Sequence, residues 1–144
     1  MKESSQFNSL NEDKRTLNSQ YSKEYYIFNL SGGRKKVNIL LSDILLVRAI
    51  KGSHADKLLY LKGNIIHTIR GHRLNDIIEI TGFLLQVNKQ ELVSPVAINY
   101  IGEETIYLKD LTDNDKPIYI CLNKTYKTAF FDFFNHPKNV NKRS

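Results

Sequence analysis

Of the 144 residues one is cysteine and none is tryptophan; proline occurs three times and methionine once. A lone thiol, Cys121, excludes an intrachain disulfide framework and any zinc site built on several thiolates, so the chain reads as cytoplasmic. No apolar run approaches the ~18 residues that a membrane span needs, and no membrane partner is expected. The amino-terminal stretch MKESSQFNSLNEDKRTLNSQ is polar and holds no apolar core of a secretory signal. No internal repeat at a solenoid period is found.

What is there suits one domain. Hydrophobic residues make up 41% and charged residues 25%, ordinary proportions for a globular chain. A domain of this size buries roughly two-thirds of its unfolded surface and needs no staples. Lys and Arg number 21 against 15 for Asp and Glu, a net charge of +6 that favours polyanionic partners, nucleic acid foremost. The charge is unevenly placed. Lys2, Lys14, Arg15 and Lys23 are balanced by Glu3, Glu12, Asp13 and Glu24. The excess therefore lies from Tyr25 onward, and Lys138, Lys142 and Arg143 near the carboxyl terminus supply half of it. The expected organisation is a flexible lead-in over 1–24, a domain over 25–134 and a basic tail over 135–144.

From Tyr25 the pattern is β-like. YYIFNL and KKVNILL flank the turn SGGR, and Ile44 to Ile50 reads as a buried strand. KGSHAD is a loop, and KLLYL and IIHTI form a hairpin across Lys62-Gly63-Asn64. Leu74, Ile77 and Ile78 recur at i, i+3 and i+4, which predicts a short amphipathic helix closed by Gly82. Pro95 confines ELVSPVAINYI to a sheet edge or a bulge. Glu103-Glu104 reads as a turn, TDNDK as a polar loop and PIYICL as a strand. Asn123 reads as the N-cap of a last helix, KTYKTAFFDFF, with its aromatics inward. Short strands with two helices predict a mainly β, antiparallel fold.

No phosphate-binding GxxxxGKS or GxxxxGKT, no GxGxxG, no HExxH and no GxSxG occurs, so no catalytic residue, metal or cofactor is assigned and the chain is expected not to be an enzyme. His54, His67, His72 and His136 read as loop or surface residues. Cys121, inside an apolar strand, reads as a buried, inert thiol. The polar side chains that do gather lie in three places. Arg48, Lys51, His54 and Lys57 surround the first loop, Gln86, Asn88, Lys89 and Gln90 follow the helix, and Asn123, Lys124 and Lys127 open the last helix. Asn and Gln suit adenine edges, and Lys suits guanine and phosphate oxygens.

With these features in this order, the chain resembles the LytTR-type DNA-binding domain of bacterial transcription regulators, the LytR/AlgR group of response regulators. The resemblance spans Val37 to Phe134. SDILLVRAIKGSHADKLLYLKGNII is similar to the family's opening, GHRLNDIIEI to its short helix, FLLQVNKQELVSPVAINYI to its central signature and PIYICLNKTYKTAFFDFF to its closing strand and helix. It implies elongated antiparallel β-sheets with one short central helix and one C-terminal helix, and DNA contact through loops in the major groove. It places DNA-contacting positions at His54, at Asn88 and Lys89, and at Lys124, with His54, Asn88 and Lys124 reading bases. Phosphate contacts would come from Lys51, Lys57, Lys89 and Lys127, with Gln86 beside them. The partners implied are duplex DNA carrying promoter repeats, with a second copy on DNA and a separate sensor or regulator protein as candidates. The domain would stand alone, without a built-in receiver.

The chain departs from the family at Gln86 and Asn88, where arginine and histidine are usual, at Ser94-Pro95, and at Lys124, where an arginine's bidentate fork is lost. Those departures motivate an alternative, a protein-interaction module of the same fold with weakened or lost DNA binding.

Overall fold

The computed structural model describes residues 24–135. The expected lead-in apart from Glu24, the expected tail apart from Asn135, and His136 lie outside the described residues. The chain forms β1 (Tyr25–Leu30), β2 (Lys36–Leu40), β3 (Ile44–Ala49), β4 (Asp56–Leu61), β5 (Ile65–Arg70), the helix α1 (Leu74–Thr81), β6 (Leu85–Asn88), β7 (Glu91–Val93), β8 (Ile98–Ile101), β9 (Thr105–Asp113), β10 (Lys116–Cys121) and the helix α2 (Lys124–Asn135). Every pairing is antiparallel. Seven strands form one sheet in the order β2-β1-β5-β4-β3-β7-β6, and three form a second in the order β10-β9-β8. This is the mainly β architecture, with a central and a terminal helix, that the pattern predicts.

Two cores flank the larger sheet. One lies between the two sheets and under α2, and joins Leu45, Leu46, Tyr60, Val87 and Val93 to Ile106, Leu108, Ile120 and Phe130. The other lies under α1 and joins Phe28, Ile39, Ile44, Val47, Leu59, Ile69 and Leu92 to Ile77. The ILLV run is continuous because β3 is buried on both faces. A register shift between Ile44 and Leu46 lets the consecutive Leu45 and Leu46 enter the same core, as an extra residue in a bulge does. In α1, Ile77 is fully buried, and Gly82 ends the helix at φ +79° with its N–H on the Ile78 carbonyl at 2.8 Å.

Three local readings change. Strand β7 is interior, paired to β3 and β6, and ends at Val93; Ser94 is buried, and Pro95 opens a 3-10 turn that carries the chain to the second sheet. Pro95 therefore sits at a corner between sheets, where it withholds no ladder N–H. TDNDK is no open loop: β9 runs to Asp113, β10 starts at Lys116, and Asn114 and Asp115 make a two-residue hairpin turn at φ +55° and +65°. Asn and Asp tolerate that conformation better than other side chains.

The third change concerns Cys121, which is exposed and not buried. Ile118 and Ile120 take the inward positions of β10, so Tyr119 and Cys121 face out. Tyr119 joins a cross-strand row on that outer face, with Tyr107 stacked on Tyr100 at 4.4 Å between ring centroids and lying 6.1 Å from Tyr119. A thiol reagent added to the folded protein without denaturant is expected to label one equivalent, at Cys121. Labelling that waits for unfolding would put β10 in the opposite phase.

Candidate nucleic-acid interface

The three polar clusters are distant in sequence and adjacent in space, because backbone hydrogen bonds join them. The Ala49 N–H, where β3 leaves the sheet, donates to the Gln90 carbonyl at 2.8 Å. The Asn123 N–H, before α2, donates to the Val87 carbonyl at 2.8 Å. The β6–β7 turn, Asn88 to Gln90, thus lies between the first loop and the start of α2. In sheet order, the clusters follow β3, then β7 and β6, then α2.

An open groove of about 830 Å³ runs beside this turn. The first loop lines it with Lys51, His54 and Lys57, and the turn region lines it with Gln86, Lys89 and Gln90. The start of α1 lines it as well, through Arg73, Leu74 and Asn75. Among the described residues no carboxylate lines the groove, while Lys51, Lys57, Arg73 and Lys89 do. A concave surface of one sign with low-dielectric walls concentrates field and attracts polyanions. Asn123, Lys124 and Lys127 lie beyond the turn and do not line it.

The polar side chains divide into those held and those free. Asn88 is held on every polar atom of its amide. Its Nδ2 donates to Glu91 Oε1 and to the Cys121 carbonyl, both at 2.9 Å, and its Oδ1 accepts from the Gln90 N–H at 2.8 Å. Gln86 Nε2 donates to the Asn88 carbonyl at 3.1 Å. Lys57 is only 5% exposed, and its Nζ donates to the His54 carbonyl at 3.0 Å, bracing the first loop from inside. Arg48, grouped with that loop in sequence, turns back instead: its Nε meets Glu91 Oε2 at 2.7 Å, and its guanidinium lies 5.5 Å from the centre of the Tyr60 ring. Burial alone would lower the Arg48 pKa. The Tyr60 hydroxyl and the Glu91 carboxylate outweigh that and hold it above its ordinary value, so the cation is kept.

Lys51, His54, Lys89 and Lys124 are exposed, and Lys127 is half-buried. The cap before α2 is made as predicted, with Asn123 Oδ1 accepting from the Thr125 N–H at 2.9 Å. His72, read as a loop or surface residue, does lie between elements, yet its ring packs edge-on against Phe28 at 5.4 Å. Sequence reasoning missed Arg73 and Asn75. The available signal was the basic character of RGHRLN directly ahead of a helix.

No family model matches the chain, and no curated protein matches it. Among solved structures, the chain is similar to the LytTr DNA-binding domain of a methyl-accepting/DNA response regulator from Bacillus cereus. The TM-score is 0.57 at 12% identity, over 78% of this chain and 97% of that one. The chain therefore has the fold of a LytTr domain.

Because Asn88 satisfies Glu91, the Cys121 carbonyl and the Gln90 N–H together, Asn88→Ala is expected to lower stability by about 1–3 kcal/mol. Lys89→Ala, one residue on and exposed, is expected to stay within about 0.5 kcal/mol of the parent. Urea unfolding of the two variants checks this; equal midpoints would remove the structural role of Asn88.

Proposed function

We propose that the chain is a DNA-binding transcription regulator without enzymatic activity, which contacts duplex DNA through the first loop, the β6–β7 turn and the start of α2. The observation that carries this reading is the joining of three polar clusters by backbone hydrogen bonds, two of them lining a groove that no carboxylate lines among the described residues. The shared fold supports it, since the domain it resembles is itself described as DNA-binding. In this reading Lys51, Lys89 and Lys127 meet phosphates, while His54 and Lys124 approach base edges in the major groove. Lys57, Gln86 and Asn88 are held by the protein, so they shape the surface and set the loops' positions.

The division of labour suits the elements available. Helix α2 commits Phe130 fully to the core and packs Phe131 and Phe134 against it. Helix α1 commits Ile77. Helix α1 exposes only Asn75 and Glu79, and the exposed stripe of α2 (Lys124, Thr125, Thr128, Ala129, Asp132 and Phe133) carries one cation, at its start, and one carboxylate.

Selection of duplexes from a random pool, followed by titration of the enriched site, is the direct experiment. Affinity is expected to fall with salt on a log–log line with a slope of about −0.9 per phosphate contacted. Lys51→Ala and Lys89→Ala are each expected to reduce that slope by about 1 at every sequence. Lys124→Ala is expected to weaken binding and relax base preference. Enrichment of no duplex, or an affinity indifferent to salt, overturns the reading.

A further inference from the structure

The family resemblance assigns base reading to Asn88 and to the position of Lys124. Asn88 is committed to the protein and has no free amide atom. Lys124, a point charge in place of a planar fork, can take that role only through a single point of contact. Guanine is most often read by two parallel N–H groups directed at O6 and N7, a geometry that a guanidinium matches and an ammonium does not. A surface that reads guanine with a fork needs an arginine, and four arginines lie among the described residues.

Two of these are engaged elsewhere. Arg48 is paired with Glu91, and Arg70 Nη2 donates to the Gly33 carbonyl at 2.9 Å. Arg34 lies in the β1–β2 turn and does not line the groove. Arg73 lines it, is exposed, and forms no ion pair among the described residues. The carboxylate closest to it in sequence, Asp76, accepts from the Arg73 backbone N–H at 2.9 Å, which fixes the start of α1. Asn75, also exposed and lining the groove, makes no side-chain hydrogen bond among the described residues. Arg73 and Asn75 line the same groove as Lys51 and His54 of the first loop and Lys89 of the turn.

We propose that the start of α1 is a wall of the DNA site, with the Arg73 guanidinium as the fork that reads a guanine and Asn75 as a second contact beside it. This rests on the DNA-binding reading above and adds to it a segment outside the three loops. Base recognition is thereby extended beyond His54 and Lys124: the β6–β7 turn is a rigid spacer, and Arg73 lines the same groove.

The test uses the full chain and the duplex enriched by the parent protein, with every base pair of that site varied in turn. Arg73→Lys keeps the charge and removes the fork. It is expected to lose discrimination at one G·C pair by roughly five- to 150-fold, with other positions unchanged. Asn75→Ala is expected to weaken binding with the salt slope unchanged. Unfolding midpoints equal to the parent's establish that both variants keep the fold. A uniform loss across all sequences in Arg73→Lys overturns the assignment of base reading to Arg73. Unchanged binding in both variants overturns the α1 wall while leaving the loop-based reading intact. Failure of the parent to enrich any duplex overturns the DNA-binding reading itself, so the two failures are told apart.

Discussion

Strands β3 and β7 must be apolar on both faces, because they separate two cores. Their shared register states this directly. Leu46 pairs with Val93 toward the core under the second sheet, and Val47 pairs with Leu92 toward the core under α1. One step on, Arg48 pairs with Glu91. The ladder thus passes from apolar to charged where it leaves the cores, and that step fixes which end of the sheet can carry polar loops. A slip of one residue would exchange the faces and bury the charges.

The ion pair at that step has consequences for its neighbours. Its side chains keep 23% and 16% of their surface, so the charges are only partly desolvated and need further partners. Arg48 finds the Tyr60 ring, and Glu91 finds Asn88. Asn88 in turn binds the Cys121 carbonyl of the second sheet. One polar chain therefore runs from β3 to β7, through the β6–β7 turn, to the end of β10. It fastens the two sheets together at the edge where the groove opens. Removing one member strands the others, which braces the turn.

Much of this fold was legible in the sequence because its signals are strong and local. ILLV without a polar break announces a strand buried on two faces, and the i, i+3, i+4 spacing of Leu74, Ile77 and Ile78 announces α1. Gly82 marks its end. The missed features share a cause, which is that they depend on partners remote in sequence. PIYICL is apolar throughout, so its phase is set by β9 and not by its own composition. That is why the local pattern places Cys121 inward and the structure places it outward. Pro95 signals interrupted pairing, but whether at an edge or at a corner between sheets depends on the second sheet. The three polar loops were visible as compositions. Which of their side chains are free was not, since Asn88 and Lys57 are engaged by groups outside any sequence window.

The same distinction decides how far net charge can be used. An excess of six positive charges over the whole chain is modest, and half of it lies beyond Phe134. Within the domain, acidic residues nearly balance basic ones, so long-range attraction to a polyanion is weak at physiological salt, where screening acts over about 8 Å. What favours a polyanion is the local exclusion of carboxylates from one concavity. Glu91, the acid at the mouth of the polar loops, is neutralised by Arg48 and capped by Asn88. Asp76 is occupied by the backbone at the start of α1. Two carboxylates near groove-lining residues in sequence are thus withdrawn into hydrogen bonds within the fold. A mildly basic domain thereby presents a surface more basic than its composition.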